Sequence, residues 1–228
     1  MEILALSLCL IAYNVMLNLL HARVQSFAYV PLNLLVTALL LVWAHRAVGL
    51  SIEQIGLGDQ SMLSSALWGI LTGILIGGLI FTLITIYKPR FPLEITQNLQ
   101  FFGMLSLLYR ITIYIPLGTV LLEEIAFRGI LLQLFSQISV ANQAIILQSA
   151  VFTFWHIGLL LRVPLVVKLA LTEKLAFVSI AIAIFISGGL FGFLRIHTSS
   201  LVGPMLAHWL VNAITTIALW RIHFSTTH

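Results

Sequence analysis

The chain has 228 residues, of which 61% are hydrophobic and only 8% charged, with a formal net charge of +4. A mean hydropathy of +1.11 excludes an ordinary soluble domain. No basic run interleaved with aromatics is present to track a phosphate backbone, so nucleic acid is excluded as a partner.

At about 1.5 Å of rise per residue, many of the apolar runs are long enough to cross a hydrocarbon core. They predict an all-α fold, a polytopic transmembrane bundle of about seven spans: 3–20, 27–44, 62–87, 104–135, 141–161, 175–194 and 200–220. The first span follows Met1-Glu2 without a basic n-region or a small-residue cleavage site, which predicts a retained helix rather than a signal peptide. It holds the one cysteine, Cys9, which is expected to serve in packing. The third span carries Gly69, Gly73 and Gly77 and the sixth Gly188 and Gly192, a four-residue spacing that lets helix backbones approach closely in lipid. The fourth span is long and contains Arg110; Pro116 and Gly118 are able to break it in two, which would raise the count to eight. Segments 93–102 and 163–174 mix apolar and polar residues and are expected to lie in the interface as short amphipathic helices. With no linker or soluble insertion between spans, a single membrane domain is expected, with generic helices over 1–103 and a core over 104–220.

Lys and Arg divide unequally between the two sides. Arg23, Lys88, Arg90, Arg162, Lys168, Lys174 and Arg221 fall on one, Arg46 and Arg195 on the other. The positive-inside rule then predicts an N-terminus outside and a C-terminus in the cytoplasm.

Against this background Leu121–Gly129, LLEEIAFRG, places Glu123, Glu124 and Arg128 within six positions of an apolar run. Each ionised group near a helix centre costs about 2.5–3.5 kcal/mol on insertion scales, so such residues mark a pair or a function. Glu124 and Arg128 are i and i+4, about 40° apart around a helix, and are expected to pair. Glu123 is turned by about 100° from Glu124 and needs a partner from another helix. Phe152 and His156 share a face of the fifth span, and His208 and Asn212 a face of the seventh. A carboxylate, a histidine and two neutral donors suffice to hydrolyse an amide. Glu123 with His156 would deprotonate and orient water, and His208 with Asn212 would stabilise the tetrahedral oxyanion. Taken singly, each residue has a plainer role: Phe152 as packing, Asn212 as helix glue, Glu124–Arg128 as a structural lock. His21, His45, His197, His223 and His228 fall near span ends or the tail and are read as interfacial or solvated.

The ordered set E-E-x3-R, F-x3-H and H-x3-N, with the flanks FRG, QSAVFTFWH and FGFLRIHTSSLVGPMLAHWLVNA, resembles the CAAX-protease and bacteriocin-processing family of intramembrane endopeptidases. The resemblance covers about 112–218; the first three spans match only as generic helices. It implies the same roles: Glu123 and His156 as the water-activating pair, His208 and Asn212 as the oxyanion hole, Glu124 and Arg128 as residues that hold the helix and tune the site. It also implies a peptide or membrane-protein substrate, a bilayer environment and, for so compact a chain, a bacterial cell membrane. No cofactor is expected. Glu123, His156 and His208 are the residues that would bind zinc if a divalent metal took part, but there is no HExxH motif. The competing reading is a non-catalytic membrane protein, an ion- or proton-coupled transporter or an immunity or scaffold protein, using the same buried polar residues.

Overall fold

The computed structural model describes residues 2–20, 22–58, 61–87, 103–156 and 171–226, and all regular structure among them is helical. The helices are α1 (Glu2–Leu19), α2 (Ala22–Arg46), the short α3 (Ile52–Ile55), α4 (Met62–Tyr87), α5 (Gly103–Ser136), α6 (Ala141–Trp155), α7 (Leu171–Thr198) and α8 (Val202–Thr226). Six of these are long and apolar enough to cross a membrane: α1, α2, α4, α5, α7 and α8. The fold is therefore a polytopic helical bundle. The fifth predicted span corresponds to α6, which has 15 residues and reaches only about 22 Å. Residues 157–161 of that span, the segments 93–102 and 163–170, and Lys88, Arg90, Arg162 and Lys168 lie outside the described residues; 171–174 open α7.

The fourth predicted span is not broken into two. Gly103–Ser136 runs as one 34-residue helix, widened to π-type turns over Arg110–Val120 and again over Glu124–Leu131. The Leu121 N–H reaches back five residues to the Pro116 carbonyl, and the Leu132 N–H to that of Phe127. A wider turn relieves the clash between a proline ring and the preceding turn, so the helix passes through Pro116 without breaking. Asn33 of α2 donates to the Gly118 carbonyl. Gly118 admits Tyr29, whose ring a Cβ would meet at 2.9 Å.

α5 is the central helix. Every residue from Leu122 to Leu132 is buried, which requires neighbours on all sides of the helix there. The glycine stripes seat the helices around it. A Cβ at Gly69 would stand 2.3 Å from the Gly203 carbonyl oxygen, and one at Gly73 3.0 Å from the Ala207 Cα, so α4 lies backbone to backbone with α8. On the other side of α4, Leu63, Leu67, Leu71, Leu75, Leu79 and Leu83 are exposed every fourth residue, the stripe that hydrocarbon covers. Gly188 and Gly192 do the same for α7 on α6, with Ser149 Cα 3.3 Å and Gln148 Oε1 3.1 Å from the would-be Cβ atoms. Cys9, expected to pack, is exposed.

Arg195 of α7 meets the segment that follows Arg46, the last residue of α2. The loop after α2 folds inward, burying Leu50 and Ile55 in the core. A Ser51–Gln54 capping box starts α3 and Gly56, at φ +91, ends it. Arg195 Nη2 donates to the Gln54 carbonyl at 2.7 Å, and Leu201 N–H to that of Gly56 at 2.8 Å.

Candidate active site

Glu123 and Glu124 project from the middle of α5, at the entry to its second widened turn. Glu124 and Arg128 form the expected pair: Nη1 donates to Oε1 at 2.9 Å, with both side chains wholly buried. Arg128 has a second partner in Phe152, whose ring lies 4.0 Å under the guanidinium carbon; Phe191 of α7 lies 5.3 Å away. Phe152 is thus a cation–π platform as well as packing. Together these contacts offset the cost of a cation at membrane depth.

His208 enters from α8. Its Nδ1 is 2.6 Å from Glu124 Oε1, the oxygen that also accepts from Arg128. Sequence spacing alone put Glu124 with Arg128 and His208 with Asn212; the fold adds the link between the two pairs. The ring stacks on Phe191 at 5.5 Å.

Glu123, also buried, faces the other way. Its Oε1 accepts from the indole N–H of Trp155 at 3.1 Å. Its Oε2 lies 3.9 Å from Nε2 of His156 and 3.9 Å from Nε2 of His208. His156 follows the last residue of α6, and its Nδ1 donates to the Phe152 carbonyl at 2.9 Å. That bond sets the tautomer: Nε2 of the neutral ring carries the lone pair, turned toward Glu123. The His156 side chain is 19% exposed against 6% for Glu123, so the site opens on the His156 side.

Five of the six predicted residues, Glu123, Glu124, Arg128, His156 and His208, therefore converge from α5, α6 and α8. Asn212, one turn beyond His208, is partly exposed, and its side chain has no hydrogen bond among the described residues. Trp155 and Phe191 were missed by the motif spacing. A tryptophan in an apolar helix reads as packing, and only its place beside His156 in FTFWH hinted otherwise.

Donors 2.0–2.1 Å from a tetrahedral zinc stand about 3.3–3.4 Å from one another. Glu123 is 3.9 Å from each histidine, and no group of three His, Cys, Asp or Glu among the described residues is arranged to hold a metal. As they stand, these residues do not fit the ion.

The fold and this cluster define an integral, multi-pass membrane protein with its polar chemistry gathered between three helices. Residues 104–214 match the family described as Rce1-like, type II CAAX prenyl endopeptidase, in agreement with the resemblance carried by the three motifs. No curated protein and no solved structure matches the chain.

Proposed function

We propose that the chain is an intramembrane endopeptidase that hydrolyses a peptide bond in a peptide or membrane-associated protein, using Glu123 and His156 to activate water. The observation that carries this reading is the 3.9 Å separation of Glu123 Oε2 from His156 Nε2. It is too long for a direct hydrogen bond and suits a water bonded to both at about 2.8 Å. Such a water donates one hydrogen to each acceptor. Glu123 takes one proton as the water oxygen attacks the carbonyl carbon, while His156 keeps the lone pair aligned. Collapse of the tetrahedral intermediate breaks the C–N bond and returns the proton from Glu123 to the leaving amine.

The oxyanion is received by His208 and Asn212. With its Nδ1–H given to Glu124, His208 offers a second N–H at Nε2 only as the imidazolium. Asn212, unengaged, is free to turn its amide N–H to the same oxygen. Glu124 and Arg128 hold His208 rather than touch substrate.

The steps run through protein groups and water alone. The domain division follows the same logic, with 104–220 as catalytic core and the earlier helices as its support. The more basic side, and with it the C-terminus, faces the cytoplasm of a bacterial cell membrane. Purified protein should cleave members of a fluorogenic peptide library, and Glu123→Ala and His156→Ala should not, with the bundle still folded. Wild-type protein that cleaves nothing, with both variants functional in vivo, contradicts the assignment and favours the transport or scaffold reading.

A further inference from the structure

We infer that Trp155 is a positioning residue for Glu123, and that the N-terminal helix α1 acts on the site through it. The inference rests on the reading of Glu123 as the base. Trp155 is buried at the last position of α6, and its indole N–H occupies Oε1 of Glu123 at 3.1 Å. A carboxylate so held has one oxygen engaged, and the other, Oε2, is the one that faces both histidines. Among the described residues no hydrogen bond other than that of the indole N–H fixes which Glu123 oxygen does so.

Trp155 is itself held from α1. As the end of a helix, α6 leaves its last carbonyls without intrahelical donors. The Trp155 carbonyl accepts from Asn14 Nδ2, and Tyr13 stacks on the indole with ring centroids 6.3 Å apart. Asn14 is buried, and its Oδ1 accepts from Asn18 one turn on, at 2.9 Å. A run of donors thus leads from Asn18 through Asn14 to the Trp155 backbone, and from the Trp155 ring to Glu123. The helix that supplies it lies outside the matched segment 104–214. A buried asparagine in an apolar helix is costly unless bonded, and here its bonding lands on the residue that holds the base.

The test compares folded Trp155→Phe, Asn14→Leu and Glu123→Gln with wild type on a cleaved peptide. Trp155→Phe keeps the ring and removes the donor. It should lower kcat by about tenfold to a hundredfold with KM within about twofold, the size of a lost bond to a charged group. Asn14→Leu should lower kcat by less, again with KM within about twofold, and add nothing in the Trp155→Phe background. Wild-type kcat in folded Trp155→Phe overturns the role of Trp155. Should that variant fail to fold, wild-type kcat in folded Asn14→Leu overturns the inference instead. Activity retained in Glu123→Gln would overturn the reading of the site itself, separately from Trp155.

Discussion

Nδ1 of His208 stands 2.6 Å from Oε1 of Glu124, on the oxygen that Arg128 holds at 2.9 Å. The second glutamate therefore joins two helices as well as two turns of one. Arg128→Met leaves a buried carboxylate without its cation, and breaking such a pair costs about 3–5 kcal/mol. A thermal melt should show the loss directly. Glu124→Ala should combine that destabilisation with a fall in kcat, since His208 loses the acceptor that orients it. Wild-type stability in both variants would remove Glu124 and Arg128 from the account.

His208 and Asn212 are assigned to charge that exists only in the transition state. His208→Ala and Asn212→Ala should each lower kcat by about 10²–10³, the loss for one oxyanion donor, and leave KM within a few-fold. Steady-state kinetics on one peptide decides this. A raised KM at unchanged kcat would make them ground-state binding residues.

The glycine stripe of α4 places α8, and so places His208. Gly69→Ala puts a methyl 2.3 Å from the Gly203 carbonyl oxygen, where no flexible side chain can yield. Overpacking of this kind costs about 1–3 kcal/mol. Gly78→Ala, with nothing within 4 Å of the new Cβ, should leave stability unchanged or raised. Melting curves of the two side by side test whether the stripe is a contact or a coincidence of spacing.

Exhaustive chelation should leave cleavage intact, since the proposed proton path uses Glu123, His156 and water. Activity that is lost on chelation and restored by added zinc would contradict that path and draw Glu123, His156 and His208 together as ligands.

The sequence made different parts of this arrangement legible for different reasons. Glu124–Arg128 depends only on helical periodicity, and it forms as spacing predicts. The glycine stripes of α4 and α7 were legible too, because a four-residue repeat of small residues has few other uses in lipid. The bond from His208 to Glu124 was not, because it spans 84 residues and follows from the seating of α8 against α5. Continuity through Pro116 was left open because the proline rule assumes an ordinary α-turn and the helix widens there instead. Asn14 left a signal that was not used: it is a polar residue in an apolar run, buried and bonded to the end of α6.

The central claim is that Glu123 and His156 act on one water. The most direct measurement is kcat for Glu123→Gln, His156→Ala and the double variant, each verified as folded, on the same peptide. Each single change should cost about 10²–10⁴ in rate, and the double should cost no more than the worse single, because either loss already disables the shared step. Losses that multiply, or a single variant that keeps the wild-type rate, would contradict it.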